Sequence, residues 1–356
     1  MAEKTIATFE VRRLEILDEE GNADKALMPS LTGDAIRGIY EKMLLSRAFD
    51  ERALGLQREG RLGTYASIRG QEAAQAASAF AAEKSDWIFP SFRETGVQIT
   101  VGYPIFMLFQ YWSGDERGMK CPDDLSVFPI CISVSTHLPH AVGAAIAMKL
   151  KKQKKAAIVY FGDGATSKGD FHEAFNMAGV FKAPVVFICQ NNQWAISVPL
   201  SRQTAARTLA QKALAYGFPG IQVDGNDVFA VYRAASEALH KARDGEGPSF
   251  IECQTYRISD HTTADDSSRY RPAREVEYWR AKDPIKRLKT YMEKEGLLTE
   301  DYQRQLEEKN ESALEEAFRK MEEIGPPPPS EMFACTFKEP TRREDIEMRS
   351  FVDDGG

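Results

Sequence analysis

Apolar residues in the middle of the chain occur in unbroken runs of strand length, separated by segments with helical spacing. Ala156 to Phe161 and Pro184 to Cys189 are such runs, and a helical segment from about Asp170 to Phe181 lies between them. Runs without alternation are typical of a parallel sheet covered on both faces, so this order predicts a βαβ unit. A third run near Phe250 to Cys253 follows a helical segment at Val228 to Arg243. The predicted fold class is therefore α/β, with a parallel sheet flanked by helices on both faces.

Helical patterns also flank this unit. One helix is predicted to begin near Thr32 or Asp34, both good capping residues, and its apolar positions follow helical spacing: Ile36, Ile39, Tyr40, Met43 and Leu44. Residues 71–82 and 141–150 form two helices rich in alanine or glycine. Small side chains let a neighbouring backbone approach closely, so we expect these two helices in packed interfaces, including contacts between subunits.

Four segments follow from these patterns. The apolar residues of positions 1–30 show no helical or strand periodicity, so this segment is predicted as an N-terminal arm. Residues 31–275 are predicted as the α/β domain, and residues 276–325 as a charged helical extension. The prolines after Gly325 end that extension, because proline cannot continue a helix. Residues 326–356 are predicted as a proline-rich linker and a loose tail.

Composition narrows the class of protein. The chain has 356 residues, of which 43% are hydrophobic and 28% charged, as in ordinary globular proteins. A formal net charge of -7 disfavours general binding to nucleic acid or to an anionic membrane. The most apolar stretch, Ile105 to Trp112, is shorter than the about 20 residues that span a bilayer. Five scattered cysteines without a CxxC pair give neither a zinc motif nor a disulfide framework. We therefore expect a soluble, cytoplasmic protein.

Two short polar motifs stand where the two central strands are predicted to end. Gly162-Asp163-Gly164 follows the first strand and Asn191-Asn192 follows the second. Ligands bind beyond the carboxyl ends of strands in open parallel sheets, so neighbouring strands would bring a carboxylate and an amide oxygen together. Such oxygens suit Mg²⁺, and the glycines let backbone N–H groups approach a phosphate. Each motif alone is usually a turn or a cap. Their joint position favours a site for a metal and a phosphate.

The chain resembles the α subunit of two-component 2-oxo acid dehydrogenases (E1α) over roughly residues 30 to 330. Five stretches carry the resemblance and stand in the family's order: Phe92-Arg93-Glu94, Gly162 to Ser167, Asn191 to Ser197, Val223 to Asp227, and Tyr256-Arg257 with His261 to Arg271. The resemblance implies a thiamine diphosphate-binding fold. It also implies thiamine diphosphate and Mg²⁺ as cofactors.

The same resemblance assigns individual residues to these cofactors. Asp163, the side chain of Asn192 and the backbone carbonyl of Trp194 would bind Mg²⁺. Arg93 and His261 would bind the diphosphate, and arginine suits this because its planar fork binds phosphate oxygens in pairs. His261 is also the candidate catalytic residue. The remaining cofactor-binding candidates are Phe92, Val134, Gly164, Ala165 and Ile196, of which Val134 would support the bent cofactor.

Without the resemblance, some of these residues would have simpler explanations. Arg93 would be a surface arginine paired with an acid, His261 a hydrogen-bonded loop residue, and Val134 a core residue. Phe92 departs from the family, because relatives often carry a tyrosine whose hydroxyl reaches the diphosphate. The missing hydrogen bond is worth about 0.5–1.5 kcal/mol. The segment Gly114 to Pro122 also departs from versions that face the substrate in some relatives, which leaves substrate choice open.

The polar segment Ser259 to Arg271 is by composition a mobile surface loop. The resemblance places it at the mouth of the active site, where it would order when the cofactor binds and would meet the lipoyl domain of a partner.

The implied activity is oxidative decarboxylation of a 2-oxo acid, with acyl transfer to a lipoyl group on the acyltransferase partner (E2). In this family the glutamate that activates the cofactor belongs to the β subunit, so no acid of this chain is given that role. A thiamine enzyme complete in one chain needs a second domain of similar size, for which there is little room. We therefore expect an α2β2 heterotetramer with an E1 β subunit.

The substrate is the least determined part of this interpretation. Pyruvate is preferred, because the stretch from Gly114 to Gly143 matches bacterial pyruvate dehydrogenase α subunits without gaps. Branched-chain 2-oxo acids are the alternative, supported by Arg93-Glu94 and Asp265-Asp266-Ser267-Ser268. A non-catalytic assembly subunit is an alternative of a different class, and the presence of all the metal and phosphate ligands disfavours it.

Overall fold

The computed structural model describes residues 3–328, 330–334 and 337–353. Within this part of the chain eight strands occur: β1 (Arg12–Leu14), β2 (Trp87–Phe89), β3 (Ala157–Gly162), β4 (Val185–Asn191), β5 (Trp194–Ala195), β6 (Val198–Pro199), β7 (Gly220–Asp224) and β8 (Ser249–Gln254). Six of them form one parallel sheet in the order β1-β7-β8-β4-β3-β2, and β5 and β6 form a small antiparallel hairpin. This arrangement confirms the predicted α/β class.

Helices lie on both sides of the sheet and beyond it. They are α1 (Gly33–Arg58), α2 (Glu72–Phe80), α3 (Thr95–Thr100), α4 (Ile105–Trp112), α5 (His137–Leu150), α6 (Gly169–Phe181), α7 (Leu200–Gln203), α8 (Val228–Arg243), α9 (Ala273–Ala281), α10 (Pro284–Lys294), α11 (Glu300–Ile324), α12 (Glu331–Ala334) and α13 (Arg342–Asp353). Thr32 caps α1, as predicted: its hydroxyl accepts a hydrogen bond from the backbone N–H of Ala35. No helix in the described ranges is long and apolar enough to cross a membrane.

Successive residues of the central strands point into two different cores, which explains why their apolar runs do not alternate. One core contains Ile158 and Val186 and is closed by α1, α2 and α8. The other contains Val159 and Phe187 and is closed by α5 and α6. The predicted βαβ unit is confirmed as β3, α6 and β4, and β8 follows α8 as expected.

The segment predicted as an arm contributes an edge strand to the sheet. β1 pairs in parallel with β7, and the backbone N–H groups of Ile16 and Leu17 donate to the carboxylate of Asp227 at 2.5 and 2.7 Å. Asp227 also caps α8 through the N–H groups of Phe229 and Ala230. One buried carboxylate therefore attaches the N-terminal segment to the start of a core helix.

Three further expectations need correction or addition. α2 packs inside this chain, with every side chain from Glu72 to Ala79 buried, so its small residues serve internal packing and not a subunit contact. Residues 342–353, predicted as part of a loose tail, form the helix α13. β2 and β7 were not predicted at all. Residues 1, 2, 329, 335, 336 and 354–356 of the predicted arm, linker and tail lie outside the described residues.

Candidate functional site

The ends of β3 and β4 are level with each other at the carboxyl edge of the sheet. Gly162 is the register partner of Gln190, so the residues that follow, Asp163 on one strand and Asn191-Asn192 on the other, leave the sheet side by side. A cavity of about 550 Å³ opens at this edge. Its size falls within the range of about 300–1,000 Å³ that is usual for small-molecule and cofactor sites.

All ten residues that the sequence nominates line this one cavity. They come from the loop after β2, the loop before α5, the turn after β3, the β5 hairpin region and the loop after β8: Phe92, Arg93, Val134, Asp163, Gly164, Ala165, Asn192, Trp194, Ile196 and His261. Residues far apart in sequence are therefore neighbours in space, as the strand-end argument predicts for Asp163 and Asn192 and as the resemblance implies for the others.

The carboxylate of Asp163 is buried, and no cationic side chain in the described part of the chain forms an ion pair with it. Only 1% of the residue is exposed, and the Nε2 of Gln203 on α7 donates to Oδ2 at 2.5 Å. Burial raises the pKa of Asp163 to about 6, against the opposing effect of Gln203. The site thus holds a buried negative charge whose solvation by the protein is incomplete, and a cation would stabilise it.

The two asparagines after β4 have different partners. Asn191 donates through Nδ2 to Glu252 of β8 at 2.7 Å and does not line the cavity. Asn192 does line it; its Nδ2 donates to Oε1 of Gln71 at 3.2 Å, and its Oδ1 accepts the backbone N–H of Trp194 at 3.4 Å. Only Asn192 therefore offers an amide oxygen to the cavity.

The backbone between β5 and β6 is held by the guanidinium of Arg257. Its Nη1 donates to the carbonyl of Trp194 at 3.1 Å and its Nη2 to the carbonyl of Ile196 at 2.8 Å. Gln193 and Ile196 have positive φ angles of 74° and 53°, which is costly for a β-branched residue such as Ile196. The bonds from Arg257 stabilise this unfavourable conformation and fix the Trp194 carbonyl, which keeps a second lone pair.

His261 lies between two arginines. Its Nδ1 is 3.2 Å from Nη2 of Arg93 and 3.3 Å from Nη1 of Arg257. Guanidinium nitrogens can only donate, so Nδ1 accepts and the ring proton resides on Nε2. Burial, Arg93 and Arg257 together lower the pKa of His261 to about 3. At neutral pH, His261 is an uncharged imidazole that can donate from Nε2.

Arg93 is buried among uncharged oxygen acceptors. It donates from Nη1 to the carbonyl of Ser67 and from Nη2 to the carbonyl of His261, both at 2.7 Å. Burial, with the nearby charge of Arg257, lowers its pKa to about 10. Arg93, Arg257 and Lys168 line the cavity together with two acids, Asp163 and Glu94, so its described lining carries more cationic than acidic side chains and favours an anionic ligand.

The uncharged predicted residues shape the walls. A Cβ added to Gly164 would lie 2.8 Å from the Cβ of Ala195, so the turn after β3 packs against the hairpin as only glycine allows. The Phe92 ring meets the imidazole of His261 edge-on at 5.8 Å. Val134 and Ile196 are apolar and exposed at 42% and 56%, so Val134 is a cavity surface residue and not a core residue.

Several cavity residues were missed by reasoning from the sequence. Gln71, the residue before α2, and Trp112, the last residue of α4, are buried and line the cavity, although the sequence predicts only packing roles for these helices. Lys168, which follows the Gly162 to Ser167 turn, lines it as well. Arg257 lies in one of the stretches that carry the family resemblance. Its role depends on contacts with two backbone carbonyls and with the His261 ring, and no local sequence pattern predicts these contacts. The available signal was its position, since Tyr256-Arg257 comes just after the end of β8, at the edge of the sheet where ligands bind.

The loop from Ser259 to Arg271, predicted as mobile from composition, has many internal bonds in the structure. Asp265 accepts the backbone N–H of His261 at 2.9 Å and the hydroxyl of Tyr270. The backbone of Thr263 donates to the carbonyl of Tyr65 at 3.0 Å. Bonds within the loop therefore fix the position of His261, and the bond from Thr263 attaches the loop to the segment that contains Tyr65.

The oxygen ligands and donors fit a metal–diphosphate group. Asp163, Asn192 and the Trp194 carbonyl are hard oxygen ligands of the kind Mg²⁺ takes, and Arg93, Arg257 and the Nε2 of His261 are donors suited to phosphate oxygens. The described residues contain no group of three or more His, Cys, Asp or Glu side chains that could hold a metal ion by themselves. A cation here would depend on one carboxylate, on neutral oxygens and on its own anionic ligand.

Fold and cavity together define a class: an α/β protein with a cavity suited to an anionic ligand beyond the strand ends of a parallel sheet. Residues 40–330 match the family described as dehydrogenase E1 component. The pyruvate dehydrogenase E1 component subunit alpha of Staphylococcus aureus (strain Mu50 / ATCC 700699) is 43% identical over 317 residues, covering 88% of this chain and 85% of that protein. The 3-methyl-2-oxobutanoate dehydrogenase subunit alpha of Mycobacterium tuberculosis (strain ATCC 25618 / H37Rv) is 42% identical over 303 residues, covering 85% and 83%.

The chain belongs to the dehydrogenase E1 component family. It is an α subunit of a 2-oxo acid dehydrogenase, an oxidoreductase, and the family implies thiamine diphosphate as the cofactor. The resemblance found in the sequence is thereby confirmed.

Proposed function

We propose that this chain is the α subunit of a pyruvate dehydrogenase E1 component, and that its cavity holds thiamine diphosphate with Mg²⁺. The reaction would be the oxidative decarboxylation of pyruvate with acyl transfer to the lipoyl group of E2. One observation carries the proposal: the ten residues nominated from sequence line a single cavity, with Asp163 and Asn192 at level ends of neighbouring strands.

Three oxygens are proposed to hold the Mg²⁺. Asp163 supplies the charge, Asn192 supplies Oδ1, and Trp194 supplies a backbone carbonyl. This assignment is supported by the surroundings of Asp163: its buried carboxylate accepts a hydrogen bond from Gln203 and forms no direct ion pair among the described residues. The remaining positions of an octahedral shell would go to diphosphate and water.

Arg93, His261 and Arg257 are proposed to stabilise the diphosphate. Arg93 and Arg257 provide positive charge, and His261 provides a neutral Nε2–H donor whose direction is fixed by the two arginines on Nδ1. Bound thiamine diphosphate supplies the carbanion and electron-sink chemistry of decarboxylation. This chain's residues bind and orient the cofactor, and His261 is proposed to act by donation and not as a base.

The rest of the catalytic centre is proposed to come from an E1 β subunit in an α2β2 assembly, with E2 as the acyl acceptor. On α5, Gly143, Ala147 and Leu150 are exposed in the isolated chain, which supports the predicted contact with another subunit. The division into residues 1–30, 31–275, 276–325 and 326–356 is likewise proposed, with β1 as the point where the first segment joins the sheet.

Branched-chain 2-oxo acids remain the second candidate substrate. The relative named for 3-methyl-2-oxobutanoate is 42% identical and the relative named for pyruvate 43% identical, so overall similarity does not favour one substrate. The resemblance of the stretch from Gly114 to Gly143 to bacterial pyruvate dehydrogenase α subunits is the reason for proposing pyruvate first. Rates of the enzyme reconstituted with its β subunit, measured with pyruvate and with 3-methyl-2-oxobutanoate, decide between them.

Asp163→Ala tests the cofactor site itself. Calorimetric titration of the reconstituted enzyme with thiamine diphosphate and Mg²⁺ should show binding in the wild type and none in the variant, because the only charged metal ligand is removed. Asp170→Ala, at a partly exposed acid in the first turn of α6, is the matched control and should bind normally. Undiminished binding by the Asp163 variant would refute the assignment. A wild type that never binds the cofactor would favour the non-catalytic assembly alternative.

A further inference from the structure

Gln71 is a cavity residue without an assigned role. It is the residue before α2, it is fully buried, and it lines the cavity beside Asn192. Its side chain contacts a proposed metal ligand directly, since Oε1 accepts the Nδ2 of Asn192 at 3.2 Å. This places it at the boundary between the protein interior and the space for the metal and diphosphate.

The orientation of its amide group follows from a backbone donor. The N–H of Trp194 can only donate, and it lies 3.4 Å from one atom of the Asn192 amide, which must therefore be Oδ1. The other atom of that amide is then Nδ2, a donor, so Gln71 must present Oε1 to it. Nε2 of Gln71 consequently points away from Asn192.

This Nε2 has no hydrogen-bond partner among the described residues, although it is buried. Buried polar groups are nearly always hydrogen-bonded, so an unpartnered amide nitrogen on a cavity wall calls for a ligand atom or a water molecule. The cavity's other donors, Arg93 and Arg257, already suit an anion. Gln71 is itself a lining residue of this cavity, so its unpartnered N–H suits an oxygen of the same anionic group.

We propose that Gln71 is a cofactor-binding and positioning residue: it turns the amide oxygen of Asn192 toward the metal and donates Nε2–H to the diphosphate. The proposal rests on the proposed function of the cavity. It requires no change in charge and no proton transfer, because both bonds use the neutral amide.

The test is Gln71→Met in the enzyme reconstituted with its β subunit, since methionine has a similar length and no hydrogen-bonding amide. The dissociation constant for thiamine diphosphate at saturating Mg²⁺, measured by calorimetry, should rise about tenfold, the effect of losing one hydrogen bond to a charged group. Gln98→Met, at a buried position on α3 outside the cavity, is the control and should leave the dissociation constant unchanged.

The melting temperature without cofactor separates this role from simple packing. Gln71→Met removes the unpartnered buried Nε2 and also the Oε1 acceptor of the 3.2 Å bond from Asn192. These two losses oppose each other, so the cofactor-free melting temperature should stay near that of the wild type, whereas a packing role predicts a clear fall. Wild-type affinity in Gln71→Met, or a lower cofactor-free melting temperature as its main effect, would overturn the proposal. If the variant does not assemble, Gln71→Leu replaces it, and failure of both assigns Gln71 to folding and overturns the proposal as well.

Failure of this inference and failure of the proposed function have different signatures. If Asp163→Ala keeps full cofactor affinity, the site assignment itself is wrong. If Asp163→Ala loses the cofactor while Gln71→Met binds as the wild type does, only the role of Gln71 is wrong.

Discussion

Asp163→Asn should make the cofactor-free protein more stable and the cofactor site unable to function. Burial raises the pKa of Asp163 from 3.8 to about 6, so the ionised carboxylate is the destabilised form in the folded chain. At neutral pH, holding that charge costs about 3 kcal/mol, because each tenfold change in proton affinity corresponds to about 1.4 kcal/mol. An asparagine side chain has nearly the same shape and still accepts the bond from Gln203.

The sign of the pH dependence follows from the raised pKa. The cost is fully present above about pH 6 and is lost as the pH falls toward the unfolded value, where the carboxyl group is protonated in both states. The stabilisation by Asp163→Asn should therefore be about 3 kcal/mol near pH 7.5 and about half as large near pH 5. Calorimetric melting of the reconstituted, cofactor-free enzyme at the two pH values measures it.

Bound cofactor should make the wild type more stable than the Asp163→Asn variant. Saturating thiamine diphosphate and Mg²⁺ should raise the melting temperature of the wild type and leave that of the variant unchanged, because ligands stabilise only the state that binds them. Asp170→Asn, at an acid with one third of its side chain exposed, should change neither quantity. A variant that is no more stable than the wild type without cofactor would refute the argument from burial, and one that still responds to cofactor would refute the metal assignment.

Two other predictions concern the cavity mouth and the edge strand. His261→Ala removes a neutral donor and the Nδ1 acceptor that faces Arg93 and Arg257, so diphosphate affinity should fall about tenfold and trypsin should cleave residues 259–271 faster in limited proteolysis. An unchanged cleavage rate would contradict the attachment of this loop through the His261 ring. Asp227→Ala leaves four backbone N–H groups without their carboxylate acceptor, so the free energy of unfolding in urea should fall by about 3 kcal/mol or more. Asp227→Asn, which keeps one acceptor oxygen, should lose less, and unchanged hydrogen exchange at residues 16 and 17 would contradict the proposed attachment.

The central sheet was predictable because its strands are buried on both faces and so have unbroken apolar runs. The position of Asp163 and Asn192 then followed from topology, since strand ends of a parallel sheet share one edge. β1 was not predictable from periodicity, because it has only three residues, two of them exposed arginines. Its place in the sheet is decided by pairing with β7 and by Asp227, which are contacts over about two hundred positions of sequence.

The missed site residues share a physical cause. Gln71 precedes an alanine-rich helix and Arg257 follows a buried strand, so local sequence predicts packing for both. Their roles arise from what faces them: an asparagine amide for Gln71, and two carbonyls and a histidine nitrogen for Arg257. The sequence shows that these side chains are polar, but only the fold shows that they are buried and which groups face them.

A single carboxylate among the proposed metal ligands has a consequence for how the enzyme is loaded. Asn192 and the Trp194 carbonyl are neutral, so free Mg²⁺ would be held weakly until diphosphate oxygens complete its shell. Metal and cofactor would then raise each other's affinity by the same factor, as reciprocal linkage requires. The fraction of active enzyme in a cell would follow the product of the two concentrations, so a fall in free Mg²⁺ would empty the site of thiamine diphosphate even when that cofactor is abundant.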